Sequence, residues 1–429
     1  MSPAGAAADG VVGRGLAAGT LADDEVRALA TAGLARLPVD GRRVLVLVPD
    51  GTRTMPLPLL AGVLERELAP RVAALDFLVA LGTHRPLTDA ALSRLLGRPV
   101  AGGRAGRSRV ENHRWDDPAA FTTVGTLPAA LVEELTLGRL RAAAPVALNR
   151  LVLAYDHLLV CGPVFPHEVV GFSGGTKYLV PGIAAPPIIH FTHWLGALIG
   201  SCQVIGTRDT PVRAVIDRAA ALLDRPIALL APVVTHDGTA GLFCGPVRPA
   251  WERAAALSAR RHVVWLERPV DRVLSVMPEM YEDLWTAAKG MYKVEPAVAD
   301  GGEVVIYAPH VTDVSAVHGR LIESIGYHCR DYFVAQWDRF GDVPGGILAH
   351  ATHLKGLGAF DAATGVETPR LRVTLATGIP RERCARLNLG WLDPAAVDPA
   401  AWARAPGTLV VPRAGEVLYR VGRPPEETP

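Results

Sequence analysis

Short apolar runs recur along the chain, and each one ends in polar residues, glycine or proline. Runs of this kind are typical of strands that are buried on both faces of a parallel sheet. Segments with helical spacing of apolar residues separate several of them, at 56–68, 87–97 and 210–224. The alternation predicts an α/β fold. The runs are RRVLVLVPD (42–50), AALDFLVALGTH (73–84), DHLLVCGPV (156–164), PIALLAPVV (226–234), EVVIYAP (303–309), LRVTLATG (371–378) and TLVVP (408–412).

Chain length predicts more than one domain. The chain has 429 residues, of which 49% are hydrophobic, whereas single cores stop growing at about 250 to 300 residues. We therefore expect two α/β domains with mostly parallel sheets and an active site in the interdomain cleft. A strand, a helix and a Gly-Gly turn follow one another in 271–302, which predicts domains at 1–275 and 276–429. The last strand could return to the first domain, and the Ala/Gly-rich start is expected to be unstructured.

Charge and cysteine usage narrow the class of partner. Lys and Arg number 44 against 43 Asp and Glu, so no single-sign field would attract nucleic acid or an anionic membrane. Five scattered cysteines without a CxxC pair indicate reduced thiols. The start resembles no secretion signal, and no apolar stretch is long enough to span a bilayer. We predict a cytoplasmic protein with a small-molecule partner, no nucleic acid and no membrane.

Reactive side chains follow two of the predicted strands. Asp50 and Arg53 stand in a DGTR turn after VLVLVP, and His84 stands in GTHRPLT after the next strand. Open α/β sheets bind ligands at this end of their strands. Asp50 and Arg53 can pair while the guanidinium holds a carboxylate or phosphate. The alternatives are a capping Asp with a surface Arg, and a hydrogen-bonded structural histidine.

The densest motif is PHEVVGFSGGTKYLVPG at 166–182. Glycines at 171, 174 and 175 would let the backbone approach a ligand closely, and Lys177 supplies an amine. The motif is not a P-loop, because a tyrosine follows the lysine where that loop needs Ser or Thr.

Two other functions remain open for the same motif. Residues 171–175 match G-x-S-x-G, so Ser173 could be the nucleophile of a serine hydrolase. Prolines at 181, 186 and 187 interrupt the helix that such a nucleophile requires. A non-catalytic sensor of a nucleotide-like ligand is the second alternative.

A helix with two histidines is predicted after the lysine motif. In IIHFTHWLGALIG (188–200), His190 and His193 stand three residues apart and would share one helix face. Either could bind a metal, or both could merely cap or pack the helix.

Taken in order, DGTR, LGTHRPLT, the 166–182 motif and FTH resemble the signatures of the nickel-pincer lactate racemase family and its 2-hydroxy-acid racemase and epimerase relatives, over about residues 40–415. The resemblance implies an isomerase whose N-terminal domain binds nickel in a pyridinium-3,5-bis-thiocarboxylic-acid mononucleotide. Lys177 would bind this cofactor covalently within the loop of Gly174 and Gly175, and His193 would bind the nickel. Separate maturation enzymes would make the cofactor.

The resemblance also implies roles around the substrate. His84 and His167 would be the two acid/base residues, because hydride can return to either face of a planar 2-oxo acid and each substrate orientation needs its own proton-transfer group. Asp50 and Arg53 would organise the substrate and His84, and Lys289 would contact substrate or cofactor.

Three positions depart from the family pattern. Thr286 replaces the glutamine of lactate-specific members, Trp285 stands at a tyrosine position, and Thr54 interrupts the continuation of the DGTR motif. We therefore expect a 2-hydroxy acid larger or more polar than lactate, bound in part by Trp285 and Thr286. The exact acid, racemase versus epimerase and the oligomeric state stay open.

The C-terminal half adds polar segments at 318–337 and 345–356. They could recognise extra hydroxyl or acidic groups of a larger substrate, or they could be ordinary polar surface. His350 and His353 could instead be half of a zinc site. The candidate recognition residues are His328, Arg330, His353 and Lys355.

Overall fold

The computed structural model describes residues 9–424 and divides the chain into two compact units. The first unit takes the chain up to residue 165, together with 172–189 and 208–261; the second takes 166–171, 190–207 and the chain from 262 onward. The predicted break near residue 275 falls inside the strand Val270–Val276, whereas the chain enters the second unit for the last time at 262. The outermost residues of both predicted domains lie outside the described part.

The first unit is built on an eight-stranded sheet in the order β1-β12-β11-β8-β2-β3-β5-β4. The strands from β11 to β5 are parallel, and β1, β12 and β4 are antiparallel to their neighbours. The strands up to residue 246 are β1 (Val12–Gly15), β2 (Arg43–Val48), β3 (Ala74–Val79), β4 (Arg104–Ala105), β5 (Ser108–Asn112), β6 (Phe121–Leu127), β7 (Ala144–Asn149), β8 (His157–Cys161), β9 (Pro166–His167), β10 (Gly171–Phe172), β11 (Ile227–Thr235) and β12 (Gly238–Pro246).

Helices flank this sheet, and residues 44–48 of β2 are completely buried, which explains their unbroken apolar sequence. Thr88 and Thr210 cap two of the helices through their side-chain oxygens. From His190 onward, the residues of the fifth helix belong to the second unit. The helices up to residue 261 are α1 (Asp23–Leu34), α2 (Leu57–Leu68), α3 (Asp89–Leu96), α4 (Ala129–Leu135), α5 (Pro186–Ile199), α6 (Ser201–Val204), α7 (Pro211–Ala220) and α8 (Val247–Arg261).

The start of the chain is more ordered than its composition suggests. Strand β1 pairs with β12 along Val12–Gly15. Its glycines permit this, since a Cβ on Gly13 would lie 2.5 Å from the carbonyl oxygen of Leu242. The expectation of an unstructured start is therefore wrong for residues 12–15, while residues 1–8 lie outside the described part.

The strand order sets where a ligand can bind. From β2 the chain moves outward to β3 and β5, and it then returns to β8 on the other side of β2. This reversal opens a crevice at the carboxyl ends of β2 and β8, the usual ligand position in open α/β sheets. Residues 50–53, 80–84 and 162–165 all follow strands that end at this edge.

The second unit has its own five-stranded parallel sheet in the order β19-β18-β15-β14-β20. The last strand pairs with β13 inside this unit. The strands are β13 (Val263–Leu266), β14 (Val270–Val276), β15 (Val298–Ala308), β16 (Gly358–Asp361), β17 (Val366–Pro369), β18 (Arg372–Thr377), β19 (Gly390–Trp391), β20 (Thr408–Val411) and β21 (Leu418–Val421).

Helices also flank the second sheet, and residues 346–355 of α14 are buried without interruption. The predicted α/β class is confirmed. None of the helices within residues 9–424 has the length and apolar character that a membrane crossing requires. The helices of this unit are α9 (Leu284–Ala287), α10 (Lys289–Tyr292), α11 (Gly319–Ile325), α12 (Arg330–Ala335), α13 (Trp337–Phe340), α14 (Gly345–Lys355), α15 (Arg381–Arg386) and α16 (Pro399–Arg404).

Candidate active site

Asp50 and His84 form a short hydrogen-bonded pair at the carboxyl edge of the first sheet. The strands before them, β2 and β3, are neighbours, and Oδ2 of Asp50 lies 2.5 Å from Nδ1 of His84. The loop of His84 is held in place, since its backbone N–H donates to Leu81 and its carbonyl accepts from the indole N–H of Trp115. The pair is thus a preorganised unit rather than a chance surface contact.

The charge of Asp50 determines which nitrogen of His84 is available. Burial raises the pKa of the Asp50 carboxyl, but His84, Arg53 and Thr52 outweigh burial and hold that pKa far below its ordinary value. An ionised carboxylate only accepts hydrogen bonds, so Nδ1 of His84 carries the proton in the pair. Nε2 of the neutral ring is then a proton acceptor.

Thr52 connects Arg53 to this pair. Its hydroxyl donates to Oδ1 of Asp50 at 2.6 Å and accepts from Nη1 of Arg53 at 2.7 Å. The Arg53 guanidinium carbon also lies 5.7 Å from the ring centroid of Phe165. Together these contacts hold a cation close to the Asp50–His84 pair, as the bidentate recognition of a substrate carboxylate requires.

Tyr178, which follows Lys177, lies within electrostatic range of Arg53 and Asp50. Its hydroxyl occupies the space that a side chain at Gly162 would need, since a Cβ there would lie 1.9 Å from that oxygen. Burial raises the pKa of the Tyr178 hydroxyl above its ordinary value, nearby Arg53 lowers it, and Asp50 raises it. The lysine motif also contacts the loop of His84 within the first unit, because the backbone N–H of Gly82 donates to the carbonyl oxygen of Gly182 at 2.9 Å.

Lys177 lies in a 3-10 turn, Gly175–Tyr178, and its side chain is half-buried. The backbone φ is +80° at Gly174 and +62° at Gly175, a region that favours glycine. Protein atoms pack against both glycines, because a Cβ would lie 2.6 Å from Val164 at the first position and 3.0 Å from Trp251 at the second. Tight packing thus accounts for both glycines in addition to any ligand contact.

Ser173 has a structural role. Its hydroxyl donates to the carbonyl oxygen of Pro163 and accepts from the backbone N–H of Phe165, both at 2.9 Å. The residue is buried, and a 3-10 turn follows it rather than the helix that a nucleophile elbow needs. The structure therefore does not support a serine hydrolase.

His167 lies in the second unit and is buried. Its Nδ1 lies 3.2 Å from the backbone nitrogen of Val169, from which it accepts a hydrogen bond, and 3.3 Å from Oε2 of Glu168. The side-chain ammonium of Lys293, which is itself buried, donates to the carbonyl oxygen of Pro166 and anchors this segment. His167 thus lies beside a carboxylate, as His84 does.

The two histidines of α5 differ in their surroundings. Nδ1 of His190 accepts from the backbone N–H of Gly346 at 3.3 Å, and burial lowers the pKa of His190. His190 is therefore engaged in packing α5, which leaves His193, half-buried on the same helix, as the candidate metal ligand. Within residues 9–424, no group of three or more His, Cys, Asp or Glu side chains is arranged as a metal site.

The expected substrate residues of the second unit have defined partners. Lys289 is buried with its ammonium 4.2 Å from the ring centroid of Tyr281. The Thr286 hydroxyl donates to Asp283, which caps α9, so the threonine helps to hold this helix. Trp285 contacts two imidazole rings, with centroid distances of 4.7 Å to His318 and 4.3 Å to His350.

Three of the four C-terminal candidates have structural partners. Nδ1 of His328 lies 2.7 Å from Glu367, Arg330 donates to the carbonyl oxygen of Leu198, and Lys355 donates to that of Asn388. His353 differs, because its Nε2 is buried without a hydrogen-bond partner. Burial lowers the pKa of His353 to about 4, so the ring is neutral at neutral pH.

Comparison with known proteins shows which family of proteins this chain resembles. A family model described as the lactate racemase N-terminal domain matches residues 26–204. The lactate racemase of Thermoanaerobacterium thermosaccharolyticum is 24% identical over 279 residues, 62% of this chain and 60% of that protein. The lactate racemase of Lactiplantibacillus plantarum is 28% identical over 153 residues, 35% of this chain and 32% of that protein. The aligned regions thus span less than two thirds of these relatives.

Solved structures extend the likeness to most of the chain. A crystal structure of a protein from Thermotoga maritima is 32% identical with a TM-score of 0.86, covering 94% of this chain and 99% of that one. The lactate racemase apoprotein of T. thermosaccharolyticum shares the fold, with a TM-score of 0.71 at 19% identity over 94% of this chain and 93% of that one. Fold and site define an α/β protein with an Asp–His pair and a lysine loop at one sheet edge. Residues 26–204 match the family of lactate racemase N-terminal domains.

Proposed function

We propose that this chain is an isomerase that racemises or epimerises a 2-hydroxy acid larger or more polar than lactate. The reaction would use hydride transfer to a nickel-pincer pyridinium mononucleotide that is bound covalently to Lys177. Separate maturation enzymes would make this cofactor. The observation that carries the proposal is the Asp50–His84 pair at 2.5 Å, since the loop of His84 also contacts the lysine motif through the hydrogen bond from Gly82 to Gly182. The match of residues 26–204 to the lactate racemase N-terminal domain agrees with the proposal.

The residues available are suited to such a cofactor. Lys177 offers a half-buried amine on a tightly packed turn, and His193 offers an imidazole for a tetragonal Ni(II) whose other ligands come from the pincer. Gly174 and Gly175 give the turn its positive φ values. When bound, the cofactor would supply a hydride acceptor, which protein side chains lack.

The protein's own groups would move the proton and hold the acid. Arg53 would hold the substrate carboxylate. Nε2 of His84 would accept the hydroxyl proton as hydride leaves the same carbon, which yields a planar 2-oxo acid. As hydride returns to the opposite face of the 2-oxo acid, His167 in its imidazolium form would give a proton to the substrate oxygen, and exchange with solvent would restore the protonation of both rings. Lys289, a buried cation, would complete the charge balance around substrate or cofactor.

Substrate preference would depend on Trp285 and Thr286. A bulky indole that contacts two imidazoles replaces the residue of lactate-specific members, and the threonine hydroxyl already donates to Asp283. Thr286 would therefore shape the pocket through its position more than through a direct hydrogen bond. A panel of 2-hydroxy acids and sugar acids should show turnover of members larger than lactate.

Turnover in heavy water tests the mechanism. Holoenzyme from a cofactor-producing host should interconvert the stereoisomers while the hydrogen on the reacting carbon is retained, because it travels as hydride. Proton NMR of the product measures this retention. Deuterium incorporation at that carbon would contradict hydride transfer. Binding without turnover in wild type and in Lys177→Ala would instead indicate a ligand sensor.

A further inference from the structure

Three consecutive carbonyl oxygens of the lysine loop accept hydrogen bonds from side chains of α7 and α8. Arg213 donates from Nη2 to Phe172 and from Nη1 to Gly174, the latter at 3.3 Å. Between them, Nε1 of Trp251 donates to the carbonyl oxygen of Ser173 at 2.8 Å. The backbone just before Lys177 is thus fixed from behind at successive residues.

A second set of contacts continues this attachment past the glycines. The Thr176 hydroxyl donates to Asp217, and Nη1 of Arg213 lies 3.4 Å from the same hydroxyl. Arg248 donates to the other oxygen of Asp217 at 2.8 Å. The guanidinium carbons of Arg213 and Arg248 lie 4.3 Å and 4.9 Å from the Trp251 ring centroid. The loop, two helices and an indole ring therefore form one connected network.

Arg213 is buried with only 2% of its surface exposed. Burial lowers the pKa of its guanidinium to about 10, so the group stays charged at neutral pH. A buried charge is costly unless hydrogen bonds compensate it, and the loop carbonyls provide them. The N-cap of α7 also fixes this residue, because the Thr210 side chain accepts from the backbone N–H of Arg213.

We infer that Arg213 and Trp251 are positioning residues that preorganise the loop of Lys177, so that its amine meets the cofactor in one orientation. The inference rests on the proposed role of Lys177. Removing either donor takes a hydrogen bond away from a buried loop carbonyl, which should raise the population of open loop roughly 5- to 100-fold. The opening would slow attachment of the cofactor without any change in the residues that contact substrate.

Hydrogen exchange in the apoprotein gives a test that does not depend on activity. Arg213→Met and Trp251→Phe should accelerate exchange of the 172–180 amides about tenfold or more relative to residues 44–48 of β2. Arg213→Lys should show a smaller effect, because it keeps one donor. Arg225→Met is the matched control: Arg225 lines the same cavity of about 440 Å³ between α7 and α8, but it donates to Tyr155.

Lysine acylation provides a second readout. The chain has four lysines, and the other three, Lys289, Lys293 and Lys355, are buried. Peptide mapping after brief treatment with an amine-directed ester distinguishes the α-amine from the lysines, and among the lysines the label should fall mainly on Lys177. We expect the acylation rate of Lys177 in Arg213→Met to differ at least threefold from the wild-type rate, and the rate in Arg225→Met to equal it.

The outcomes separate this inference from the proposed function. Exchange and acylation that match the control, or exchange that accelerates equally in β2, would overturn the positioning role while leaving the isomerase proposal intact. Loop-specific acceleration in a protein that never acquires a Lys177 adduct would support positioning and contradict the proposed function. If Arg213→Met does not fold, Arg213→Lys and Trp251→Phe test the positioning role in the same way.

Discussion

Replacing Asp50 with asparagine should disable one of the two proton-transfer histidines. The carboxylate is 6% exposed and lies 2.5 Å from Nδ1 of His84. Asparagine has nearly the same shape but loses the charge, and its amide can donate to Nδ1 and so favour the wrong tautomer of the ring. Hydrogen bonds to charged groups contribute about 1.5–3 kcal/mol. At about 1.4 kcal/mol for each tenfold, kcat should fall roughly 10- to 150-fold.

Single-turnover measurements make this prediction specific. His84 should serve one substrate orientation and His167 the other, so formation of the 2-oxo acid should slow for one stereoisomer and stay near the wild-type rate for its mirror partner. Rapid quench with chromatographic detection of the 2-oxo acid measures both rates. KM should change little, because Arg53 remains.

Asp76 offers a matched control in the same sheet. It is buried in β3 and accepts hydrogen bonds from the Tyr155 hydroxyl and the Arg109 amide, away from the carboxyl edge. Asp76→Asn should lower the free energy of unfolding without an effect on kcat. Equal slowing of both stereoisomers, wild-type rates in Asp50→Asn, or the same loss of kcat in the control would refute the reasoning.

Three further predictions concern packing, pH and the buried serine. Gly162→Ala should displace the Tyr178 hydroxyl, lower stability by about 1–3 kcal/mol and reduce cofactor loading, as thermal melting and intact mass would show. Burial lowers the pKa of three histidines to about 4, 3 and 4: His113, His350 and His353. Because the unfolded state binds protons below about pH 6.5 and the folded state does not, urea unfolding should show stability falling by about 1 kcal/mol per histidine near pH 5.5; a flat profile would be evidence against buried neutral rings. Ser173→Ala should lower the free energy of unfolding by about 1–2 kcal/mol yet keep isomerase activity. Labelling of the wild type by a serine-directed phosphonate would be evidence for a serine hydrolase.

The sequence predicts the sheet edge well because strand ends obey simple geometry. Asp50 and His84 each follow an apolar run, and neighbouring parallel strands bring such positions together. The hydrogen bond between them, and the relay through Thr52, could not be predicted, since they depend on rotamers rather than on spacing. Similarly, only the structure distinguishes His190, which binds a backbone amide, from His193.

Features of the structure that depend on contacts between residues far apart in the sequence could not be predicted from sequence patterns. Arg213 stands in a segment with ordinary amphipathic spacing, and nothing local reveals that its guanidinium reaches carbonyls about forty residues away. The position of the Tyr178 hydroxyl could not be predicted either, because it depends on the space that Gly162 leaves. The interleaving of the units is invisible to local patterns, because segments 166–171 and 190–207 join the second unit through packing.

Intact-protein mass spectrometry with metal analysis tests the central claim most directly. Protein from a cofactor-producing host should carry one adduct, mapped to Lys177, together with about one nickel per chain. The adduct should be absent from Lys177→Arg, which keeps the positive charge, and His193→Gln should retain the adduct but lose nickel. Unmodified, nickel-free wild type from that host, or a fully active Lys177→Arg, would contradict the account.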